Sequence, residues 1–236
     1  KTICLAGQPN MGKSTLFNLL TGLNQHVGNW PGKTVEQRSG VFTFDDVQYN
    51  LIDLPGTYSM TANSPEEVIA REYILREKPS IVIAVVSAAT LERSLYLVSE
   101  LVCLPVPVVL ALNMMDVAEH EGMKVDPVVL ERELNIPVVA ITATKAQGVK
   151  ELLHVAVDMI NSHERCQARP PNIPAEINKE REFLQEIVAE YLPKIYPADW
   201  AALKLLEGDV EITRLVKDKM PEAEWRQIQE ILSRND

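Results

Sequence analysis

A glycine-rich segment near the start of the chain has the residue types and spacing of a phosphate-binding loop. Residues 7–14 read Gly-Gln-Pro-Asn-Met-Gly-Lys-Ser, after the apolar run 3–6 and before the apolar-rich run 15–20. Between a strand and a helix, this pattern turns backbone N–H groups toward phosphates, whereas an isolated match can be an ordinary glycine turn. Lys13 would then reach the β- and γ-phosphates, and Ser14 would bind Mg²⁺. The predicted phosphate contacts are Gly7, Gln8, Pro9, Asn10, Met11, Gly12, Lys13, Ser14 and Thr15.

The base-selecting residues are predicted about a hundred positions later. Asn113 and Asp116 follow the apolar run 106–112, at the carboxyl end of a second buried strand, where open parallel sheets bind ligands. A carboxylate there can accept hydrogen bonds from N1 and N2 of guanine, and adenine offers no such pair of donors. The usual motif is Asn-Lys-x-Asp, but this chain has Met114 in place of the lysine. Methionine can lie over the base without contributing charge, so we expect guanine binding of modest affinity.

Three residues between these motifs are candidates for sensing the terminal phosphate. Asp53 and Gly56 end a predicted strand in the sequence Asp-Leu-Pro-Gly. The aspartate can hold the water shell of Mg²⁺, and the glycine N–H can bind the γ-phosphate, although such a sequence can also be a simple turn. Thr34 lies in a polar loop, residues 28–38, and its hydroxyl could complete the Mg²⁺ shell. A threonine in a loop is by itself weak evidence.

A fifth motif completes the predicted site. Thr142, Ala143 and Thr144 follow the apolar strand 137–141, and a backbone N–H near Ala143 would meet the guanine O6. The five motifs occur in the order found in Ras-like GTPases. The sequence therefore predicts a P-loop GTPase domain over residues 1–165.

The mechanism of hydrolysis must differ from that of Ras. Ras-type enzymes place a water-orienting glutamine after the Asp-x-x-Gly motif, and this chain has Thr57 there, which is too short for that task alone. Asn10 could hold a monovalent cation against the phosphates and so stabilise the charge of the transition state. It could equally be a loop-capping asparagine. The predicted catalytic residues are Asn10, Lys13, Thr34 and Gly56, with Ser14, Thr34 and Asp53 for Mg²⁺ and Asn10 for K⁺.

Taken together, these motifs resemble the amino-terminal part of the FeoB ferrous iron transporter family. The matching segments are residues 7–18, 27–36, 53–59, 91–97, 113–116 with its methionine, and 200–209. The resemblance implies a slow GTPase stimulated by potassium through Asn10, on the cytoplasmic face of the bacterial inner membrane. It also implies that GTP and GDP control Fe²⁺ uptake. Implied partners are the transporter's own transmembrane part, a second copy of the chain and a small FeoA-type protein. Residues 142–144 depart from the common Ser-Ala-Lys.

Composition sets limits on these predictions. The chain has 236 residues, 46% of them hydrophobic and 24% charged, as in ordinary globular proteins. Its longest apolar stretch, residues 101–115, is interrupted by two prolines and is shorter than the roughly 20 residues that span a bilayer. A membrane part would therefore lie outside this sequence. Four histidines and three cysteines show no metal-ligand spacing, so no site for transported metal is predicted here.

The predicted fold is an α/β Ras-like P-loop fold followed by a small all-α domain. Six strands are predicted at 2–7, 39–45, 47–53, 80–86, 107–113 and 136–141. Helices are predicted at 13–22, 65–77, 92–103, 126–134 and 149–163, and the strands and helices alternate as in a mostly parallel sheet covered on both faces. A proline-containing linker is predicted at 166–175. The helical domain, residues 176–236, contains the predicted helices 176–191, 198–206, 209–219 and 221–234.

Two functional alternatives remain at the level of sequence. A potassium-dependent GTPase of the Era or TrmE kind, which acts on RNA, would share the phosphate-loop asparagine and lack the glutamine. Residues 172–236 carry nine Lys or Arg against fourteen Asp or Glu, and the whole chain has a formal net charge of −10. Nucleic-acid modules need a basic surface, so the charge argues against an RNA partner. A nucleotide-binding module without turnover is the other alternative.

Overall fold

A mixed β-sheet of seven strands forms the centre of the larger unit. The structure is a computed structural model that describes residues 1–162, 168 and 172–233. Within that part of the chain, the strand order is β2-β3-β4-β1-β5-β6-β7. The strands are β1 (Thr2–Ala6), β2 (Gln25–Asn29), β3 (Glu36–Phe44), β4 (Val47–Asp53), β5 (Ile81–Ser87), β6 (Val108–Asn113) and β7 (Val138–Ala140). Strand β3 is antiparallel to both of its neighbours, and the other pairs are parallel.

Helices cover the sheet, as continuous burial of its central strands requires. Every residue of β5 and of β6 is buried, which is typical of parallel strands packed on both faces. The helices of this unit are α1 (Lys13–Thr21), α2 (Pro65–Glu77), α3 (Leu91–Leu101), α4 (Met115–His120), α5 (Pro127–Leu134) and α6 (Val149–Ser162). The predicted fold class is therefore confirmed.

The register of the parallel strands brings the predicted motifs to one edge of the sheet. Leu5 at the end of β1 pairs with Asp53 of β4, and Ser87 of β5 pairs with Asn113 of β6. Because parallel strands share a direction, the residues that follow their carboxyl ends meet on the same side.

One strand and one helix are absent from the sequence-based predictions. Strand β2 begins at residues for which no element was predicted and ends inside the predicted loop 28–38, since it is polar, contains Gly28 and shows no apolar alternation. It forms because it adds to the edge of β3 through five residue pairs. The side chain of Trp30 after it is 6% exposed and packs edge-on against Tyr73 of α2, with ring centroids 5.2 Å apart. Helix α4 has only six residues, too few for a periodic pattern.

The smaller unit consists of residues 171–236 together with the short segment 61–64. Its helices, within the described residues, are α7 (Ala175–Val188), α8 (Ala198–Leu206), α9 (Val210–Lys217) and α10 (Glu222–Leu232). Each lies within two residues or so of its predicted bounds, apart from α7, which ends three residues earlier. Of the predicted linker 166–175, residues 166, 167 and 169–171 lie outside the described part of the chain. Residue 163 of the predicted fifth helix and residue 234 of the last predicted helix lie outside it as well.

Polar side chains hold the segment 61–64 within this smaller unit. The Lys204 ammonium, which is 0% exposed, donates to Thr61 Oγ1 at 3.0 Å and to Glu207 Oε2 at 2.6 Å. Asp209 accepts the Ala62 N–H at 2.8 Å with one oxygen and the Ile212 N–H at 2.9 Å with the other. The second of these bonds caps α9, so the carboxylate that begins a helix also holds the segment.

Candidate nucleotide-binding site

The loop between β1 and α1 forms the floor of a cavity of about 520 Å³ at the carboxyl edge of the sheet. Gly12 precedes α1 in the left-handed conformation, with φ of +87°, which leaves the first N–H groups of the helix directed outward. The residues around this cavity come from three separate motifs. They are Gln8, Pro9, Asn10, Gly12, Lys13, Ser14, Thr15, Gly56 and Met114. The structure thus brings the phosphate loop, the Asp-x-x-Gly turn and the guanine motif around one space.

Asn113 connects the phosphate loop to the loop after β7. Its side-chain Nδ2 donates to the Met11 carbonyl at 2.9 Å, and its Oδ1 accepts the Ala143 N–H at 3.0 Å. A Cβ on Gly12 would lie 2.1 Å from Asn113 Nδ2, so a side chain at Gly12 and this amide cannot share the space. The glycine of the phosphate loop is therefore required by the asparagine of the base motif.

Lys13 is held by acceptors at the end of β4. Its ammonium donates to the Asp53 carboxylate and to the Leu54 carbonyl, the latter at 2.6 Å. Burial raises the pKa of Asp53, and the neighbouring Lys13 ammonium opposes that rise. The lysine expected to bind phosphates thus has a protein partner here, and phosphate oxygens would have to compete with it.

Oxygen donors suited to Mg²⁺ lie around this lysine, with one exception. The Ser14 side chain is exposed and lines the cavity, and the Asp53 carboxylate contacts Lys13, which lines the same cavity. Hydroxyl and carboxylate oxygens are the ligands that Mg²⁺ prefers, so these two residues fit the ion. Thr34 is exposed in the hairpin between β2 and β3 and does not line the cavity.

Asn10 lies in the phosphate loop beside the cavity. Asn10 has a positive φ of 67°, lines the cavity and is exposed. Among the described residues, no hydrogen bond of its side chain is found, whereas a capping asparagine would bond to nearby backbone. The described contacts therefore give the capping interpretation no support, and a cation site at Asn10 stays a prediction.

Thr57, at the position of the Ras glutamine, is directed away from solvent. It is 2% exposed, and its N–H donates to the Gly7 carbonyl at 3.3 Å. Gly56 beside it lines the cavity, where a Cβ would lie 3.2 Å from a side-chain atom of Pro9. The turn thus approaches the phosphate loop through backbone, and Thr57 offers no side chain to orient a water molecule.

The base-recognition end contains an ion pair that the sequence did not predict. Asp116 Oδ1 accepts the Val117 N–H at 3.0 Å, and Oδ2 pairs with the Lys145 ammonium at 2.8 Å. Of the loop residues predicted near guanine O6, Thr142 and Ala143 are buried and Thr144 is exposed. Met114 stands where the common motif has a lysine, so the motif itself brings no cation to this end of the site. Lys145, directly after the predicted loop 142–144, brings one.

Other cavities and side-chain clusters add nothing to this site. A cavity of about 690 Å³ lies against β2, β3 and β4, and none of the predicted site residues lines it. Within the described residues, no three His, Cys, Asp or Glu side chains converge as a metal site.

Family models match the two units of the chain in sequence. The model for ferrous iron transport protein B matches residues 1–156, and that for the FeoB cytosolic helical domain matches residues 174–235. The chain belongs to the FeoB family. The family resemblance predicted from the motifs is thereby confirmed, for both parts of the chain.

Relatives and solved structures agree with this membership. The chain is 42% identical over 213 residues to the Fe(2+) transporter FeoB of Salmonella typhimurium and 40% identical over 220 residues to that of Escherichia coli K12. These alignments cover 89% of the chain, which spans 27% of the length of each FeoB relative. Among the described residues, no helix is both long and apolar enough to cross a bilayer.

Crystal structures of FeoB cytosolic parts share the whole fold. An S. thermophilus NFeoB mutant bound to GDP is 36% identical, with a TM-score of 0.87 over 100% of this chain and 89% of its own. The apo cytosolic domain of T. maritima FeoB is 35% identical, with a TM-score of 0.85 over 99% of this chain and 93% of its own. The same T. maritima domain is also known in a GMPPNP form.

Proposed function

We propose that this chain binds GTP and hydrolyses it slowly, with Mg²⁺ and with stimulation by K⁺. In this proposal it is the regulatory domain of a bacterial Fe²⁺ transporter, on the cytoplasmic face of the inner membrane. The observation that carries the proposal is the pair of bonds from Asn113 to Met11 and Ala143. They hold the phosphate loop and the guanine loop at one edge of the sheet, the arrangement needed to bind both ends of one nucleotide.

The residues have separate tasks in the proposed reaction. The N–H groups after Gly12 and the Lys13 ammonium bind the phosphates, and Lys13 exchanges Asp53 for phosphate oxygens as it does so. Ser14 and Asp53 would hold Mg²⁺, which would supply positive charge to offset the negative charge of the phosphates. The Gly56 N–H reports whether the γ-phosphate is present.

Asn10 is proposed to hold K⁺ beside the phosphates. This ion would supply the positive charge that an arginine finger supplies in other GTPases. Because the Thr57 side chain is buried, positioning of the attacking water falls to backbone groups of the turn around Gly56.

Phosphate release from GTP in KCl and in NaCl tests both the activity and the cation. The native chain is expected to hydrolyse GTP at least roughly tenfold faster in KCl than in NaCl. The reason is that Na⁺ would not fit the site at Asn10, so its charge would not stabilise the transition state. Asn10→Ala is expected to be slow in both salts. Rates are measured at equal ionic strength with saturating Mg²⁺, and ATP serves as the control substrate.

Two results would contradict this proposal in different ways. Equal rates of the native chain and Asn10→Ala in both salts would remove the role of Asn10 and leave the GTPase. Absence of GTP hydrolysis, with GTP still bound, would favour the nucleotide-binding module without turnover.

The segment 61–64 is the proposed route from the nucleotide to the helical domain. It follows Gly56 by only a few residues in the sequence, and in the smaller unit Lys204, Glu207 and Asp209 hold it. A change at the γ-phosphate would pull on this segment and so on the amino terminus of α9. The helical domain would transmit that change to the transmembrane part of the transporter. Self-association and binding of a FeoA-type protein remain predictions.

Thr61→Val tests this route with a small change of shape. Valine keeps the volume but removes the hydroxyl that bonds Lys204 and Glu207, so the free energy of unfolding should fall by about 1 kcal/mol. In the native chain, the Ala62 and Ile212 amides should exchange hydrogen at different rates with GDP and with GMPPNP. In Thr61→Val that difference should shrink by half or more.

Thr213→Val is the matched control, because it makes the same change of side chain on α9 itself, outside the segment 61–64. It should keep the nucleotide dependence of exchange. This route would be refuted if Thr61→Val kept the full difference in amide exchange between GDP and GMPPNP. It would also be refuted if exchange in the native chain were the same with both nucleotides.

A further inference from the structure

The guanine-selecting carboxylate has a protein partner that competes for the same oxygens as the base. The Lys145 ammonium lies 2.8 Å from Asp116 Oδ2, while the other oxygen accepts the Val117 N–H. Each oxygen therefore already accepts one donor before a base binds, and each has one further acceptor position. Guanine needs both as acceptors, one for N1–H and one for the N2 amino group.

Several hydrogen bonds hold the backbone around Lys145, in the turn formed by residues 142–147. Its N–H donates to the Thr142 carbonyl at 3.0 Å, and Thr142 and Gln147 exchange two backbone bonds of 3.1 and 3.3 Å. The Ala143 N–H is held by Asn113. The ammonium thus reaches Asp116 from an ordered turn, and the ion pair joins the loop after β6 to the loop after β7.

We propose that Lys145 is a positioning residue that acts through Asp116 and weakens discrimination between guanine and hypoxanthine. This inference rests on the proposed function, since it concerns the same base site. In the empty site, Lys145 donates to one of the two oxygens that guanine uses, and this bond weakens that oxygen as an acceptor for the N2 amino group of guanine. Hypoxanthine lacks that amino group, so its binding leaves the Lys145–Asp116 pair in place.

The charge of Lys145 also keeps Asp116 in the form that accepts hydrogen bonds. The bond from the ammonium holds the pKa of the Asp116 carboxyl below its ordinary value. The carboxylate therefore stays ionised whether or not a base is bound, and Lys145 substitutes for the missing second donor of hypoxanthine.

Exposure sets the size of the expected effect. The Lys145 side chain is 56% exposed and that of Asp116 is 33% exposed, so this is a surface ion pair. Pairs of this kind change equilibria by no more than roughly fivefold. Replacing Lys145 should tighten GDP because a competitor is removed, and should weaken inosine diphosphate because its unpaired oxygen loses a partner.

The test compares the dissociation constants of GDP and inosine diphosphate for four proteins by calorimetry at constant ionic strength. In Lys145→Met, the ratio of the inosine to the guanosine constant should rise about three- to fivefold above the native ratio. Lys145→Arg should restore the native ratio, because the cation is kept. Lys150→Met, which removes an exposed charge five residues further on, should leave the ratio unchanged.

Each other outcome is decisive. An unchanged ratio in Lys145→Met overturns the inference, whether neither affinity changes or both weaken equally. Equal weakening would mean a purely structural role in the loop. An equal rise in Lys150→Met would show a general effect of charge and overturn it as well. If the native chain bound neither nucleotide, the proposed function itself would fail, and that result is distinct from the other three.

Discussion

Asp116→Asn is expected to shift the base preference of the site from guanine to xanthine. A carboxylate presents two acceptors, whereas an amide presents one acceptor and one donor, so the N2 amino group of guanine would face an NH₂ group. Xanthine has a carbonyl oxygen at that position and matches the amide. Affinity for GDP should fall by roughly 100-fold, because a mismatched polar pair is left in the site. Affinity for xanthosine diphosphate should rise, because its carbonyl oxygen finds a donor in the amide.

Calorimetric titration with both diphosphates, in the presence of Mg²⁺, measures this shift. Asp158→Asn is the matched control, since Asp158 is an exposed carboxylate on α6 and its loss changes the net charge equally. The control should bind GDP as the native chain does. If Asp116→Asn weakened both nucleotides alike, or neither, Asp116 would not be the residue that selects the base.

Gly12→Ala is expected to abolish measurable binding of GDP in a chain that still folds. The new Cβ would lie 2.1 Å from Asn113 Nδ2, and the amide cannot move aside without giving up its bonds to Met11 and Ala143. Alanine is also strained at the φ of +87° that Gly12 adopts. Strain and two lost hydrogen bonds should lower the free energy of unfolding by about 3 kcal/mol. Affinity for GDP should fall at least 100-fold, because both ends of the site are displaced together.

Gly122→Ala separates backbone strain from the collision with Asn113. Gly122 has a similar φ of +73°, but a Cβ there meets no atom within 4 Å. This control should lose only about 1 kcal/mol of stability and keep GDP binding. Urea unfolding and GDP titration of the two variants provide the comparison. Binding by Gly12→Ala within tenfold of the native affinity would show that Asn113 does not join the two loops rigidly.

Much of the architecture follows from local sequence patterns. The runs 3–6, 81–86 and 107–112 are continuously apolar, and they form most of β1, β5 and β6, because strands buried on both faces need such runs. The helix over residues 65–77 was predicted with the bounds that α2 has in the structure. The resemblance to the FeoB family was also visible in the sequence, in six short segments, and the family models confirm it.

Other features depend on contacts between distant residues and could not be predicted. Strand β2 has no strand-like pattern and exists because β3 offers it an edge. The two bonds of Asn113 join residues 102 and 30 positions away, which no local periodicity reports. The ion pair of Asp116 with Lys145 is of the same kind, as is the hold of Lys204 on Thr61. In each case the chemistry was visible in the sequence, but the partner was not.

The position of β2 at the edge of the sheet has a consequence for how the chain would respond to GTP binding and hydrolysis. Five residue pairs join β2 to β3, and Thr34 lies in the hairpin between these two strands. Thr34 was predicted to bind a cation on the triphosphate, and in that case its movement to the cation would strain the pairing of β2 with β3. Loss of the terminal phosphate would then allow this pairing to form again.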